Sequence, residues 1–225
     1  MSTGRVIAIV GAESTGKSTL ALGLAARIAA HTGLRCTVVG EYLREWCDQA
    51  GRTPRPNEQR GIAEEQLRRV QTARAANDIV VADTMPLMVA VYSLQLFGDD
   101  TLISMAIAAQ SEVAITLLTA LDLPWVADGL QRDGAHVREP VDSAVRALLG
   151  AHGLAWSVVG GQGPVRLDQA FAASQPLLAA AAPPASGLFS GLAAREAAAP
   201  VWRWVCDTCD QPDCEHQLLA AARRA

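Results

Sequence analysis

Gly11-Ala12-Glu13-Ser14-Thr15-Gly16-Lys17-Ser18 fits the spacing G-x-x-x-x-G-K-[ST], a pattern whose chemistry is the cradling of a nucleotide's phosphates. Backbone N–H groups of residues 12–18 would wrap the phosphates, and the positive end of a following helix would point at them. Lys17 would reach the terminal phosphates as a compact point charge, and the Ser18 hydroxyl would ligate Mg2+. Lys17 is the single lysine among 19 basic residues. A coding bias toward arginine accounts for the lysines missing elsewhere. It does not account for the position of this one, where a wide planar guanidinium is a poor substitute. Gly11, Glu13, Ser14, Thr15, Gly16, Lys17, Ser18 and Thr19 are therefore the expected nucleotide contacts. The alternative is a chance octet.

The flanking residues argue against chance. Arg5–Val10 is a short apolar run, read as a buried strand, and Ser18–Ala30 is an Ala/Leu-rich helix with Leu20, Leu22, Leu24 and Ile28 to bury. Strand, glycine-rich loop and helix is the order the chemistry needs. Further along, strand-like runs at Cys36–Gly40, Ile79–Ala82, Val113–Leu118 and Ala155–Val159 alternate with helix-like runs at Asn57–Ala76, Pro86–Leu96, Leu102–Ala109, Arg138–Leu149 and Val165–Ala181. Asn57 is the expected N-cap of the first of these helices. The alternation predicts an α/β fold with a parallel sheet covered by helices on both faces.

Ligands of such sheets bind beyond the carboxyl ends of the strands. Glu41-Tyr42-Leu43-Arg44-Glu45-Trp46 follows strand two, Asp83 closes strand three, and Asp122 to Gly129 follow strand four. Asp83 could hold Mg2+ or accept the proton of an attacking hydroxyl; otherwise it caps the helix starting near Pro86. Glu41 is the second candidate base, or a solvated loop carboxylate. Arg44 could clamp a phosphate, or simply pair with Glu41 or Glu45. Tyr42, Trp46 and Trp125 could stack on an aromatic ring, or each is a core or rim residue, and Asp128 shares their edge. Residues 124–139 carry Arg132 and Arg138 without clear periodicity, as a lid delivering an arginine to a transferring phosphoryl group would, or as an ordinary charged connection. The Gly160–Gly163 turn lacks G-x-G-x-x-G order and is no dinucleotide fingerprint; a turn beside the adenine suits it better.

A net charge of −4 with no basic stripe speaks against nucleic acid, and apolar runs too short for a bilayer speak against a membrane span. The first strand starts at Arg5, so no signal peptide is expected, and the odd count of five cysteines suits reduced thiols in the cytoplasm. The expected organisation is a kinase-sized core over residues 1–178, an Ala/Pro-rich linker over 179–200, and a tail over 201–225. In the tail, Cys206, Cys209, Cys214 and His216 offer four ligands for a structural Zn2+; otherwise the thiols are reduced bystanders or a redox pair. Metal analysis of the purified protein decides between them. Oligomeric state is left open.

Three stretches together resemble the ribosylnicotinamide kinase domain of the NadR-type proteins, a P-loop kinase family: residues 11–20, Glu41-Tyr42-x-Arg44-Glu45-Trp46, and Pro124-Trp125-Val126-Ala127-Asp128-Gly129-Leu130. Ile62-Ala63-x-x-Gln66 and Arg166, in what would be the adenine-side loop, add to the likeness. The resemblance implies a P-loop kinase fold with strand order 2-3-1-4-5. It implies transfer of a phosphoryl group from Mg2+-ATP to the 5′-hydroxyl of nicotinamide riboside, giving the mononucleotide. Lys17, Asp83 or Glu41, and Arg132 would carry catalysis, and Arg166 would serve the nucleotide. Gln131 stands where the family usually has arginine, with Arg132 one place later. The adenylyltransferase motif H-x-G-H of longer members is missing, so the mononucleotide and not NAD would be the product. The other readings are a kinase for another nucleoside or small metabolite, and a non-catalytic ATP-binding regulator.

Overall fold

Five parallel strands in the order β2-β3-β1-β4-β5 form the centre of the protein. The computed structural model describes residues 3–126 and 134–181. The strands are β1 (Arg5–Val10), β2 (Cys36–Val39), β3 (Ile79–Asp83), β4 (Ile115–Thr119) and β5 (Ser157–Val159). The helices are α1 (Lys17–Thr32), α2 (Tyr42–Ala50), α3 (Pro56–Ala76), α4 (Pro86–Phe97), α5 (Ile103–Ser111), α6 (Arg138–Ala151) and α7 (Pro164–Ala181). The predicted fold class and strand order are thus the observed ones. The chain divides into two units, Met1–Ala182 and Pro183–Ala225; the second, which includes Cys206, Cys209, Cys214 and His216, lies outside the described residues.

Side chains of successive strand residues point to opposite faces, which decides what each covers. Ile7 and Ile9 of β1 join Ile79, Val81 and Leu117 under α1 and α7. Val6 and Ala8 join Val80 and Ala82 against Val70 of α3, while Val10 and Leu118 pack on α4 and α6. A sheet buried on both faces needs strands that are apolar throughout, and every residue of β3 is buried. In register, Ile9 lies beside Asp83, and Val10 beside Leu118. The central strand therefore opens its carboxyl end onto residues from both neighbours.

Two local expectations need correction. The third helix begins at Pro56, and Arg55, not Asn57, is its N-cap. Proline favours the first helical position because its missing N–H is not needed there. Glu58, three residues after the cap, accepts the Arg55 N–H at 2.7 Å and also pairs with the Arg52 guanidinium. The segment after β2 is also a helix, α2, where the sequence reading had only a strand-end loop. Its signals were Leu43 and Cys47, one turn apart and both buried, and Gly51 closing the helix at φ 66°.

Ion pairs lace the outer surface of α3. Hydrogen bonds from Arg52 and the Arg55 N–H hold the Glu58 carboxyl down at about 2, and Arg68 and Arg69 do the same for Glu65, also to about 2. Groups held below their unfolded values near 4.5 stabilise the fold above that pH, and the contribution is lost as pH falls toward 2. The urea midpoint should accordingly fall between pH 5 and pH 3, with part of that fall removed in Glu58→Gln. Both carboxylates face solvent, so added salt should shrink the effect.

Candidate active site

The loop between β1 and α1 is shaped by close approach. Gly11, at φ +143°, lies so near β4 that a Cβ would come within 2.2 Å of the Thr119 hydroxyl. That hydroxyl meets the Thr15 hydroxyl at 2.7 Å and the Val10 carbonyl at 3.2 Å, while Thr15 donates to the Ala12 carbonyl at 2.8 Å. Thr15, fully buried, thus ties the loop to β4. Gly11→Ala is expected to cost about 2–4 kcal/mol through clash and backbone strain. A melting temperature unchanged from wild type would contradict this packing.

Ser14 at φ 56° and Gly16 at φ 77° are both left-handed, and Gly16 caps α1. Such runs turn successive N–H groups into a concavity for anions. Lys17, 8% exposed, reaches back to donate to the Ala12 carbonyl at 2.8 Å, so its ammonium sits across the loop. Ser14 accepts the Val126 N–H at 2.8 Å. Ser14 to Thr19 line one side of a cleft of about 430 Å³, with Leu123, Pro124 and Gln162 on its other walls.

Arg166 lies beneath this loop. It donates to the Thr15 carbonyl at 2.7 Å and to the Gly161 carbonyl at 2.8 Å, and it pairs with Asp122. It is a positioning residue that fastens the loop, the end of β4 and the 160–163 turn together. Asp83 closes β3 at 3% exposure, and its Oδ1 has no hydrogen-bond partner. The next residue, Thr84, holds φ 73°, a conformation costly for a β-branched side chain, and donates its N–H to the Ile9 carbonyl at 3.0 Å. An orphaned buried carboxylate oxygen beside a phosphate loop is what a divalent cation would complete, and the Ser18 hydroxyl in the first turn of α1 fits the same ion.

A second cleft, of about 420 Å³, opens beside the first. Lys17 and Arg44 line both clefts; Glu13 and Glu41 line only the second. Glu41 is the N-cap of α2, with its side chain 9% exposed and 3.6 Å from Arg44. Gln66, from α3, fixes this corner: its Oε1 accepts the Tyr42 N–H at 2.7 Å, and its Nε2 reaches the carbonyls of Gly40 (3.3 Å) and Thr84 (3.5 Å). Asp83 lines neither cleft.

The aromatic expectations fall elsewhere. The Tyr42 ring lies under the Arg69 guanidinium at 4.3 Å, and the Trp46 ring lies 5.0 Å from that of Arg52. Both pack on Leu43, Cys47 and Ile62, and neither they nor Trp125 lines a cleft. Tyr92 and Phe97 of α4 are the aromatics of the second cleft, with His136 opposite. Sequence reading passed them over because they lie inside a helix rather than at a strand end. Asp128 and Arg132 lie outside the described residues. Arg138, which opens α6, is buried; it donates to the Leu123 carbonyl at 2.8 Å, and its Nε and one terminal nitrogen have no hydrogen-bond partner. A cation at a helix N-terminus is electrostatically misplaced unless an anion joins it. Burial pushes the Cys36 and Cys47 thiols up to about 11, which leaves them poor nucleophiles. Among the described residues no cluster of His, Cys, Asp or Glu suits a metal held by protein ligands alone, and no helix is long and apolar enough to cross a membrane.

A family model described as AAA domain matches residues 6–166. No curated protein sequence matches the chain. Among solved structures, the NadR protein in complex with NR superposes with a TM-score of 0.60 at 18% identity, over 77% of this chain and 50% of that one. The NadR protein in complex with NAD and AMP-PNP gives 0.58 at 17% identity, over 77% and 49%. The thymidylate kinase of Ehrlichia chaffeensis gives 0.53 at 12% identity, over 79% and 100%. The chain spans about half the length of the NadR chains it resembles. At these identities the likeness fixes the fold, which is that of the P-loop kinases.

Proposed function

We propose that this chain, which belongs to the AAA domain family, is an ATP-dependent small-molecule kinase whose acceptor is the 5′-hydroxyl of nicotinamide riboside. The observation that carries the reading is the pair of adjoining clefts that share Lys17 and Arg44. One is floored by a phosphate loop, and the other is walled by a buried acid. Such a pair suits a donor triphosphate and an acceptor hydroxyl meeting end to end.

The residues divide the work by position. The loop N–H groups and Lys17 hold the β- and γ-phosphates. Ser18 and Asp83 would hold Mg2+, which would supply positive charge to offset that of the phosphates. Glu41, in the acceptor cleft, orients the hydroxyl and takes its proton; Asp83, which lines no cleft, serves the metal side instead. Arg44, which lines both clefts, supplies positive charge to the equatorial oxygens in transfer. The likeness in fold to a NadR protein seen with NR supports the choice of acceptor.

An ADP-release assay over a panel of acceptors tests the reading. Strong stimulation by nicotinamide riboside, with mononucleotide found by mass spectrometry, is the expected result. Stimulation by other nucleosides alone would reassign the acceptor. Tight ATP binding without turnover on any acceptor would make the chain a nucleotide-binding regulator instead of an enzyme.

A further inference from the structure

Gln59, in the first turn of α3, stands far from Glu41 in sequence, yet both line the acceptor cleft. It is 2% exposed, and its Oε1 has no hydrogen-bond partner. Neighbouring Gln66 is equally buried, yet its amide is bonded at both ends. A buried amide oxygen left unpaired is unfavourable, and proteins keep few of them. The surroundings of Gln59 do not supply a donor. Leu96 and Phe97, at the end of α4, form an apolar lip to the same cleft. Arg60, the next residue along α3, reaches at 3.5 Å to the carbonyl of Thr101 beyond that lip, which places the start of α3 beside the end of α4. The cleft thus carries charge at Lys17 and Glu41 and apolar surface at Leu96 and Phe97; of its two amides, Gln59 and Gln95, only Gln59 has a buried oxygen without a partner.

We propose that Gln59 is a recognition residue for the acceptor's ring. Its Oε1 accepts an N–H from a ring substituent, with the ring itself against Phe97. The inference rests on the kinase reading above and narrows the acceptor to a flat ring bearing an N–H donor, of which the primary carboxamide of nicotinamide riboside is one. A side-chain amide suits that partner because it also offers an NH2 group to a carbonyl. A site built to accept such a bond discriminates strongly against an analogue without the donor, because the site's own polar atom is then stranded.

The test compares nicotinamide riboside with 3-acetylpyridine riboside, which keeps the ring, the sugar and the carbonyl but carries a methyl group in place of the NH2. For the wild type, kcat/KM is expected to be roughly 10- to 100-fold higher for the carboxamide. In Gln59→Leu that ratio should collapse toward one, and in Gln59→Glu, which keeps an acceptor oxygen, a preference for the carboxamide should survive. A role confined to packing would lower both acceptors together and leave the ratio intact, which overturns the proposal. So does a wild-type ratio near one, a result that needs no variant to fold. Phosphorylation of neither acceptor by the wild type overturns the choice of nicotinamide riboside as acceptor and this proposal with it, a separate outcome from equal phosphorylation of both.

Discussion

Lys17→Ala is expected to lower phosphoryl transfer roughly 1000-fold or more while leaving the melting curve nearly unchanged. The loss follows from the location of the ammonium. It crosses the phosphate loop and lines both clefts; Arg44 also lines both, but as a planar fork beside Glu41 it does not replace a compact ammonium on the loop. The fold should tolerate the change because the Ala12 carbonyl, which accepts from Lys17, also accepts from the Thr15 hydroxyl and keeps that donor. Lys17→Arg should recover little, since a planar fork cannot occupy the position of a compact ammonium. Turnover near wild type in Lys17→Ala would remove the loop from the mechanism.

Asp83→Asn should cost roughly 100-fold or more in turnover, with a raised Mg2+ requirement, because it removes the charge but not the shape of a buried carboxylate with one oxygen left unpartnered. The pH profile separates its role from that of Glu41. If Glu41 is the base, Glu41→Gln flattens the acidic limb, whereas Asp83→Asn leaves that limb in place and responds to added Mg2+. A flattened acidic limb in Asp83→Asn, insensitive to the metal, would exchange the two roles.

Much of the scaffold could be read from residue order, because its determinants are local. Apolar runs such as Ile79–Ala82 have one good solution, a strand buried on both faces, and the glycine spacing at 11 and 16 has one good use. The side-chain partnerships could not be read this way. Thr119 closes β4 and holds the loop through Thr15, but it stands 104 residues away from it. Arg166 gave a nucleotide-binding signal by resemblance, yet its guanidinium turns to Thr15 and Asp122, contacts set by how α7 returns to the sheet. Tyr42 and Trp46 were plausible ring platforms until α2 formed. In a helix starting at Tyr42, the Tyr42 ring is covered by Arg69 of α3 and the Trp46 ring by Arg52 of the segment that joins α2 to α3. The cleft's own aromatic, Phe97, had no strand end to mark it. Gln59 had no signal at all, since an amide inside a helix acquires meaning only when its neighbours fail to pair with it.

The Gln66 amide bridges the turn that carries Glu41 and the turn that follows Asp83. Proton acceptor and metal-side carboxylate are thereby yoked through one side chain to a single spacing. Redesigning the acceptor wall around α2 would therefore also retune the opposite side of the transfer. Changes made at α4 and the first turns of α3 leave that yoke alone, and are where a new acceptor could be accommodated without disturbing the chemistry.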